Sequence, residues 1–208
     1  MLNSIPIYPL HIVSGGQTGV DRAALDVAME LGWQHGGWCP LGRVAEDGYI
    51  PVRYRLRQTE SPQYGIRTER NVIDSDATLI LYRTELSGGT ELTWRFTRIH
   101  GRPCYLQNIL SRINSEQLCD WLHENGVTKL NVAGPRESTC PGIGDLARSL
   151  LQPLFLQAQL APPEKKREQR LFLLAAESGN FGEQRESDGH INHNCENIAE
   201  ASHERITH

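Results

Sequence analysis

The segment from Ile12 to Asp26 constrains the fold more than any other part of the chain. It reads Ile-Val-Ser-Gly-Gly-Gln-Thr-Gly-Val-Asp-Arg-Ala-Ala-Leu-Asp, which predicts a buried strand, a glycine turn and the start of a helix. Gly15, Gly16 and Gly19 carry no Cβ, so the backbone can turn sharply and approach another group closely. The free N–H groups and the positive dipole end of the helix favour an oxyanion. The segment therefore predicts a phosphorylated small molecule held where the first strand ends.

The spacing of this turn separates it from two common nucleotide-binding motifs. Gly-Gly-Gln-Thr-Gly is not the dinucleotide fingerprint G-x-G-x-x-G, and it lacks the Lys-Ser/Thr that ends a P-loop. Gln17 and Thr18 complete the set of candidate ligand-binding residues in this turn. The alternative is a tight strand-to-helix turn that binds nothing, since many α/β turns contain glycine for that reason alone.

Composition limits the class of protein. The 208 residues fit one domain with an appendage or two small domains, and the net charge is −4. The chain has no basic block, which argues against nucleic acid as a partner. No apolar run approaches the roughly 20 residues that cross a bilayer, so no membrane partner is expected. Five cysteines without a C-x-x-C, and a start without a signal peptide, favour the cytoplasm.

Apolar runs and periodicity predict strands that alternate with helices. The predicted strands cover residues 10–14, 77–82, 103–107 and 129–133, and the predicted helices cover 20–31, 63–75, 91–100, 115–125 and 143–159. Ser115 is expected to cap its helix, and Pro153 is expected to kink or divide the last helix. Residues 36–65 show little periodicity, and a connection of this length is often functional. The alternation indicates an α/β fold with parallel strands.

Two further turns follow predicted strands and should lie at the same carboxyl edge as the first, where open α/β sheets bind ligands. Ser87, Gly88, Gly89 and Thr90 form the second turn, and these four residues are candidate ligand contacts. Helix capping by Ser87 is a compatible alternative.

The third turn contains Arg136, which is the expected anion contact there because a guanidinium can bind an oxyanion through two hydrogen bonds. The alternative is a surface ion pair of little energetic value.

Other charged side chains could complete the site. Arg70 lies three residues after Arg67 on a predicted helix and could reach the phosphates, although both could simply face solvent. Glu46 and Asp47 are adjacent carboxylates in the long connection, and they could bind a cation, take a proton or remain solvated. Asp21 is interpreted as an acid that stabilises the dipole of the first helix.

Metal binding is not predicted. Cys39 and Cys140 each precede a proline but are interpreted as structural thiols. His190, His193 and Cys195 superficially resemble a metal cluster. They stand in a low-complexity end, in which such a pattern is weak. The expected organisation is a ligand-binding domain over residues 1–160, followed by a linker and low-complexity tail over 161–208 that we expect to be disordered.

Several segments together carry a family resemblance: 14–26, 37–43, 45–51, 74–78, 87–90 and 131–138. They resemble the putative molybdenum carrier family, which is related to YpsA-like proteins. That family belongs to the superfamily of Rossmann-like domains that includes DprA and the "lonely guy" phosphoribohydrolases. The resemblance covers residues 10 to about 157. It implies a Rossmann-like three-layer fold with a mostly parallel sheet that binds a nucleotide-like or molybdenum-cofactor-like ligand.

The resemblance leaves the activity open. The related phosphoribohydrolases carry G-G-x-G-T-x-x-E and an arginine on the preceding helix, where Arg70 stands here. The second turn lacks the inserted glycine, and Glu91 follows the threonine directly, so Glu91 would need a different geometry to act as the acid. Three functions stay open: a binding protein, an N-glycosidic hydrolase of nucleotides or nucleotide sugars, and a sensor of a nucleotide ligand. The identity of the ligand and the oligomeric state, a homo-oligomer included, also stay open.

Overall fold

A computed structural model of the chain describes residues 10–158, and its centre is a sheet of five parallel strands. The strands are β1 His11–Val13, β2 His35–Gly36, β3 Trp38–Cys39, β4 Val44–Ala45, β5 Gly48–Tyr49, β6 Arg57–Gln58, β7 Ala77–Tyr82, β8 Cys104–Asn108 and β9 Lys129–Ala133. The helices are α1 Val20–Glu30, α2 Tyr64–Ile73, α3 Gly88–Ile99, α4 Ser115–Glu124 and α5 Ile143–Ala158. The order of strands in the central sheet is β2-β1-β9-β7-β8. This is the predicted Rossmann-like α/β fold.

Helices cover the central sheet on both faces. Leu79 and Leu81 of β7 belong to the main apolar core, which also contains buried residues of α1, α4 and α5. Ile80 lies between them and is also fully buried, so it faces the opposite side, because successive side chains of a strand alternate. Helices α2 and α3 pack against each other. Three layers result, with the sheet in the middle.

The last strand within residues 10–158 lies in the middle of the sheet. β9 pairs with β1 on one side and with β7 on the other, both in parallel. The Asp76 carboxylate, just before β7, accepts hydrogen bonds from the N–H groups of Thr128 at 2.9 Å and Lys129 at 2.7 Å. These bonds align the amino ends of the two strands. The carboxyl ends of β1, β9 and β7 consequently lie next to one another.

The predicted long connection is more structured than expected. His35 and Gly36 form an edge strand of the central sheet, and the segment after them forms two small two-stranded sheets, β3-β6 and β4-β5. The buried Arg43 guanidinium orders this segment by donating to the carbonyl oxygens of Ile50, Pro51, Tyr54 and Leu56 at 2.9–3.0 Å. A second small apolar cluster packs beside it, made of Leu25, Cys39, Ala45, Ile50, Tyr54 and Leu56.

Three predicted helix details were wrong. Helix α3 begins at Gly88, three residues earlier than expected, because the glycine turn itself is the first helical turn. Asn114, not Ser115, caps α4, since its side-chain oxygen accepts from the Gln117 N–H at 3.0 Å. The third concerns Pro153, which does not divide α5: the helix continues through it, with the flanking Leu151 and Leu154 packed in the core.

Some predictions fall outside the part of the chain that the structure describes. The domain boundary at residue 160, the tail from 161 to 208, and His190, His193 and Cys195 all lie outside residues 10–158. Among the helices that are described, none is both long enough and apolar enough to span a bilayer.

Candidate functional site at the carboxyl edge of the sheet

The three predicted turns lie side by side at one edge of the sheet. The Thr18 hydroxyl accepts from the Glu137 N–H at 3.2 Å, which joins the first turn to the third. The Arg83 guanidinium lies 3.9 Å from the Cys140 sulfur, which joins the segment before the second turn to the third. The third turn is therefore central, as the strand order β1-β9-β7 requires.

The first turn packs closely against the rest of the chain. A Cβ on Gly15 would meet the Arg67 guanidinium at 1.6 Å, and one on Gly16 would meet Leu56 at 2.5 Å. Gly19 has φ +76°, and a Cβ there would meet the Pro135 carbonyl oxygen at 2.6 Å. Gly16 has φ +74°, so backbone conformation favours glycine at both 16 and 19, whereas a side chain at 15 would have to displace the Arg67 guanidinium. This finding gives the three glycines a structural role that is independent of any ligand.

Several amide groups of the first turn already have partners within the chain. The Gln17 N–H donates to Asp21 at 3.2 Å, the Thr18 N–H donates to the Gln17 side chain at 3.0 Å, and the Val20 N–H donates to Pro135 at 3.2 Å. A ligand on this turn would therefore meet the Thr18 side chain more readily than these amides.

Asp21 and Arg67 form an ion pair beneath the first turn. The distance from Arg67 Nη1 to Asp21 Oδ2 is 3.1 Å, and the two side chains are 15% and 5% exposed. Burial raises the pKa of the Asp21 carboxyl, while the charge of Arg67 and the hydrogen bond from Gln17 oppose that change. Asp21 thus fixes Arg67 against the turn, which is a larger role than the helix-dipole effect that the sequence suggested.

Arg67, rather than Arg70, is the arginine of α2 that reaches the first turn. Arg70 pairs with the exposed Glu60 at 2.9 Å, and its guanidinium lies 5.1 Å from the centre of the Trp38 ring. Arg70 stands one helical turn further along α2, and α2 runs away from the carboxyl edge of the sheet.

Glu46 is the centre of the charged part of the site. Its carboxylate accepts hydrogen bonds from the hydroxyls of Thr18 and Ser138 and from the Ser138 N–H at 3.0 Å. Arg136 Nε lies 3.4 Å from the same carboxylate, whose side chain is 17% exposed. Two hydroxyls, one amide and one guanidinium from two turns therefore converge on a single oxyanion, which belongs to the protein itself.

The second acid of the pair holds the same hairpin in place. Asp47 lies beside Glu46 at the tip between β4 and β5, and both of its oxygens accept from Arg22, the longer bond being 2.7 Å. The Arg22 hydrogen bond lowers the pKa of Asp47. Partial burial acts to raise the pKa of Glu46, but the bonds from Ser138 and Thr18 outweigh it, and the pKa is lowered overall. Both acids are therefore ionised at neutral pH, which does not favour a role in taking up a proton.

The second turn is open, in contrast to the first. Gly88 and Gly89 are exposed, and a Cβ on either would meet no atom within 4 Å. They open α3, so helical geometry leaves their N–H groups without intrahelical partners. Ser87 occupies the N-cap position, but its side chain makes no capping hydrogen bond. Thr90 is buried in the first turn of the helix.

Two further acids near this edge have partners within the protein. Glu91 pairs with Arg95 one turn along α3 at 3.2 Å, with 41% of its side chain exposed. The Glu137 carboxylate accepts from the N–H groups of Gly142 and Gly144, the latter at 3.1 Å, and so caps α5.

The two loop cysteines lie in different surroundings. Cys39 belongs to the second small cluster, whereas Cys140 packs against the main core. Within residues 10–158, no group of three or more His, Cys, Asp or Glu side chains is arranged to hold a metal ion.

A parallel sheet with three adjacent turns at its carboxyl edge defines a Rossmann-like α/β domain. Residues 12–155 match the model of the circularly permuted YpsA SLOG family, and the chain belongs to that family.

A solved structure of a putative molybdenum carrier protein from Syntrophus aciditrophicus is 39% identical to this chain, with a TM-score of 0.65. The match covers 74% of this chain and 97% of the other. No curated protein matches the chain.

Proposed function

We propose that this protein binds a phosphorylated small molecule at the carboxyl edge of its sheet, with a molybdenum cofactor or a nucleotide as the candidate ligands. The observation that carries the proposal is the convergence of Thr18, Ser138 and Arg136 on the carboxylate of Glu46. Hydroxyl, amide and guanidinium donors that hold a carboxylate can hold the oxygens of a phosphate in the same way. In this proposal, Glu46 occupies the place that a ligand oxyanion takes.

The ligand would extend from this place toward the second turn. The third turn lies between the first and the second, and Arg83 reaches Cys140 at 3.9 Å across that boundary. The exposed N–H groups of Gly88 and Gly89 are available at the positive end of α3, which suits a second oxyanion such as another phosphate group. The molybdenum cofactor is a candidate because a 39% identical structure bears the name of a molybdenum carrier.

Little of the structure has to move for a ligand to displace Glu46. β4 and β5 are two residues long each, and the acids lie at the tip between them. A phosphate carries more charge than a carboxylate, so it can compete for the same donors.

A thermal-shift screen of the full chain tests the proposal with adenosine monophosphate, inorganic pyrophosphate and a pterin phosphate as probes. We expect at least one of these anions to stabilise the protein. Arg136→Met should weaken its binding by about 10- to 100-fold, because a hydrogen bond to a charged group contributes roughly 1.5–3 kcal/mol. Arg148→Met removes an exposed arginine that pairs with Glu30, and should leave binding unchanged. Stabilisation by none of the probes would overturn the proposal.

The same samples separate binding from hydrolysis. Incubation with adenosine monophosphate followed by chromatography detects free adenine if the N-glycosidic bond is cleaved. We expect unchanged nucleotide, because Asp47 is ionised and paired with Arg22 and Glu91 pairs with Arg95. Release of adenine that depends on Glu91 would replace the binding proposal with the hydrolase.

A further inference from the structure

A cavity lies next to β1, β2 and β9, and the first residues of β1 and β9 are among those that line it. It has a volume of about 190 Å³, which far exceeds the roughly 30 Å³ that one water occupies in the liquid. Its ionisable lining residues are His11, His35, Arg55, Arg57, Asp74 and Lys129. His11 and Lys129 begin β1 and β9, whereas the glycine turns follow the ends of those strands. The cavity also extends to Val13 and Gly36 at the other ends of β1 and β2, but no residue of the three turns lines it, so it is distinct from the site built on those turns.

The charge of this cavity is strongly unbalanced. Asp74 is its single acid, and it is already engaged by Arg57 at 2.9 Å and by the Trp38 indole N–H at 2.6 Å. Within residues 10–158, Arg55 and Lys129 form no ion pair through their side chains. Two cations without counter-ions thus line the cavity beside the neutralised Arg57–Asp74 pair.

Two histidines add hydrogen-bonding capacity that the protein does not use. The Nε2 atoms of His11 and His35 are buried and have no hydrogen-bond partner among the described residues. A Cβ on Gly36 would lie 3.2 Å from His11 Nε2, so the missing side chain leaves room for this ring. Because these atoms are closed to solvent, a ligand in the cavity would not bond to them in this conformation, and the two rings form part of the cavity wall.

We propose that this cavity binds a small doubly charged oxyanion of the phosphate, sulfate or molybdate type, with Lys129 and Arg55 as its charge partners and with His11 in its wall. A metal cation is disfavoured, since two unpaired cationic side chains would repel it and the cavity offers one carboxylate that is already paired.

The state of His11 links this binding to pH. Burial lowers the pKa of His11 below its ordinary value of 6.5, and Lys129, His35 and Arg57 lower it further. A bound anion reverses part of this effect and raises the pKa of His11, so binding takes up a proton. The charged groups that face His11 are His35 from β2, Arg55 and Arg57 from the segment around β6, Asp74 after α2, and Lys129 from β9. Affinity should therefore rise as the pH falls.

Isothermal titration of the full chain with sulfate, phosphate and molybdate, in an Arg136→Met background, tests the proposal without interference from the carboxyl edge. We expect saturable binding of one anion per chain, a loss of at least tenfold in Lys129→Met, and less than a twofold change in the matched Arg148→Met. Sulfate should bind several-fold more tightly at pH 6 than at pH 8, and His11→Gln should remove that difference. Sulfate is the pH probe because its own charge is constant over this range.

The possible results distinguish between the three anions and between the two proposed sites. Tighter binding of molybdate than of sulfate would identify a molybdate-selective pocket. Equal affinities would identify a general site for doubly charged anions. Equal losses in Lys129→Met and Arg148→Met, or no binding of any of the three anions, would overturn the proposal. Should a variant fail to fold, the histidine ring signals of the wild type in NMR provide the readout, since the His11 resonances must shift on sulfate addition. Neither result depends on whether the carboxyl edge binds phosphate.

Discussion

Arg67 lies over Gly15 and pairs with the buried Asp21 at 3.1 Å, so one side chain of α2 both covers the first glycine turn and neutralises the acid beneath it. Gly15 leaves the space that this guanidinium fills. The first turn is therefore closely packed against α2 and is less open to a ligand than the second turn.

Removal of this arginine should destabilise the fold. Arg67→Met leaves the Asp21 carboxylate buried without its partner, and breaking such a pair costs about 3–5 kcal/mol. Arg70→Met on the same helix is the matched control, because its pair with Glu60 is exposed and contributes about 1 kcal/mol or less. Urea unfolding followed by circular dichroism measures both. Equal and small losses for the two variants would contradict the role assigned to Arg67.

Lowering the pH should weaken the contacts that hold the β4–β5 hairpin, which carries Glu46. The pKa of Glu46 in the folded protein lies below its ordinary value of 4.5, so the ionised carboxylate stabilises the fold above about pH 4.5. That contribution is lost as the pH falls through the lowered pKa. The free energy of unfolding of the wild type should therefore exceed that of Glu46→Gln at pH 6, and the difference should shrink as the pH falls below 4.5.

The pH experiment needs a control for net charge. Glu30→Gln removes an exposed carboxylate that pairs with Arg148. A difference between wild type and Glu46→Gln that stays constant from pH 6 to pH 3, or one that Glu30→Gln reproduces, would show that the hairpin contacts do not depend on ionised Glu46.

Substitution of Gly89 should change stability and ligand affinity in opposite directions. A Cβ there meets open space in the first turn of α3, and alanine is favoured over glycine in helices by up to about 1 kcal/mol. Gly89→Ala should therefore raise the melting temperature slightly while it weakens binding of inorganic pyrophosphate, because the methyl group lies at the positive end of the helix.

Gly65→Ala is the matched control for this prediction. Gly65 is the second residue of α2, as Gly89 is of α3, and its nearest contact for a Cβ is Leu92 at 3.7 Å. The two variants should gain similar stability in thermal unfolding, and only Gly89→Ala should lose pyrophosphate affinity. A Gly89 variant with unchanged affinity would exclude the second turn from the site.

Much of the fold was predictable because its central strands are short, largely apolar segments between turn and charged residues. Ala77–Tyr82 and Lys129–Ala133 form strands with the predicted bounds. The edge strand His35–Gly36 was missed because two residues give no periodicity. The order of the segment around Arg43 was also missed, since it depends on four carbonyl groups that converge only in the folded chain.

The candidate site was predictable in its location but not in its contacts. Strand-to-helix turns at one edge follow from the alternation of elements, and the three turns do lie together. Sequence gave no indication that Glu46 would accept from Thr18 and Ser138, because hydrogen bonds across 28 and 92 residues leave no local pattern. The helix periodicity that grouped Arg67 with Arg70 also could not show which of them lies against a buried acid.

The central claim is that Glu46 occupies an oxyanion position, and the affinity of Glu46→Ala for inorganic pyrophosphate tests it most directly. Isothermal titration should show that Glu46→Ala binds pyrophosphate at least about tenfold more tightly than the wild type, because the donors of Thr18, Ser138 and Arg136 are then free for the ligand. The control variant Glu30→Ala should bind pyrophosphate as the wild type does. Pyrophosphate affinity that is unchanged or weaker in Glu46→Ala would contradict the account.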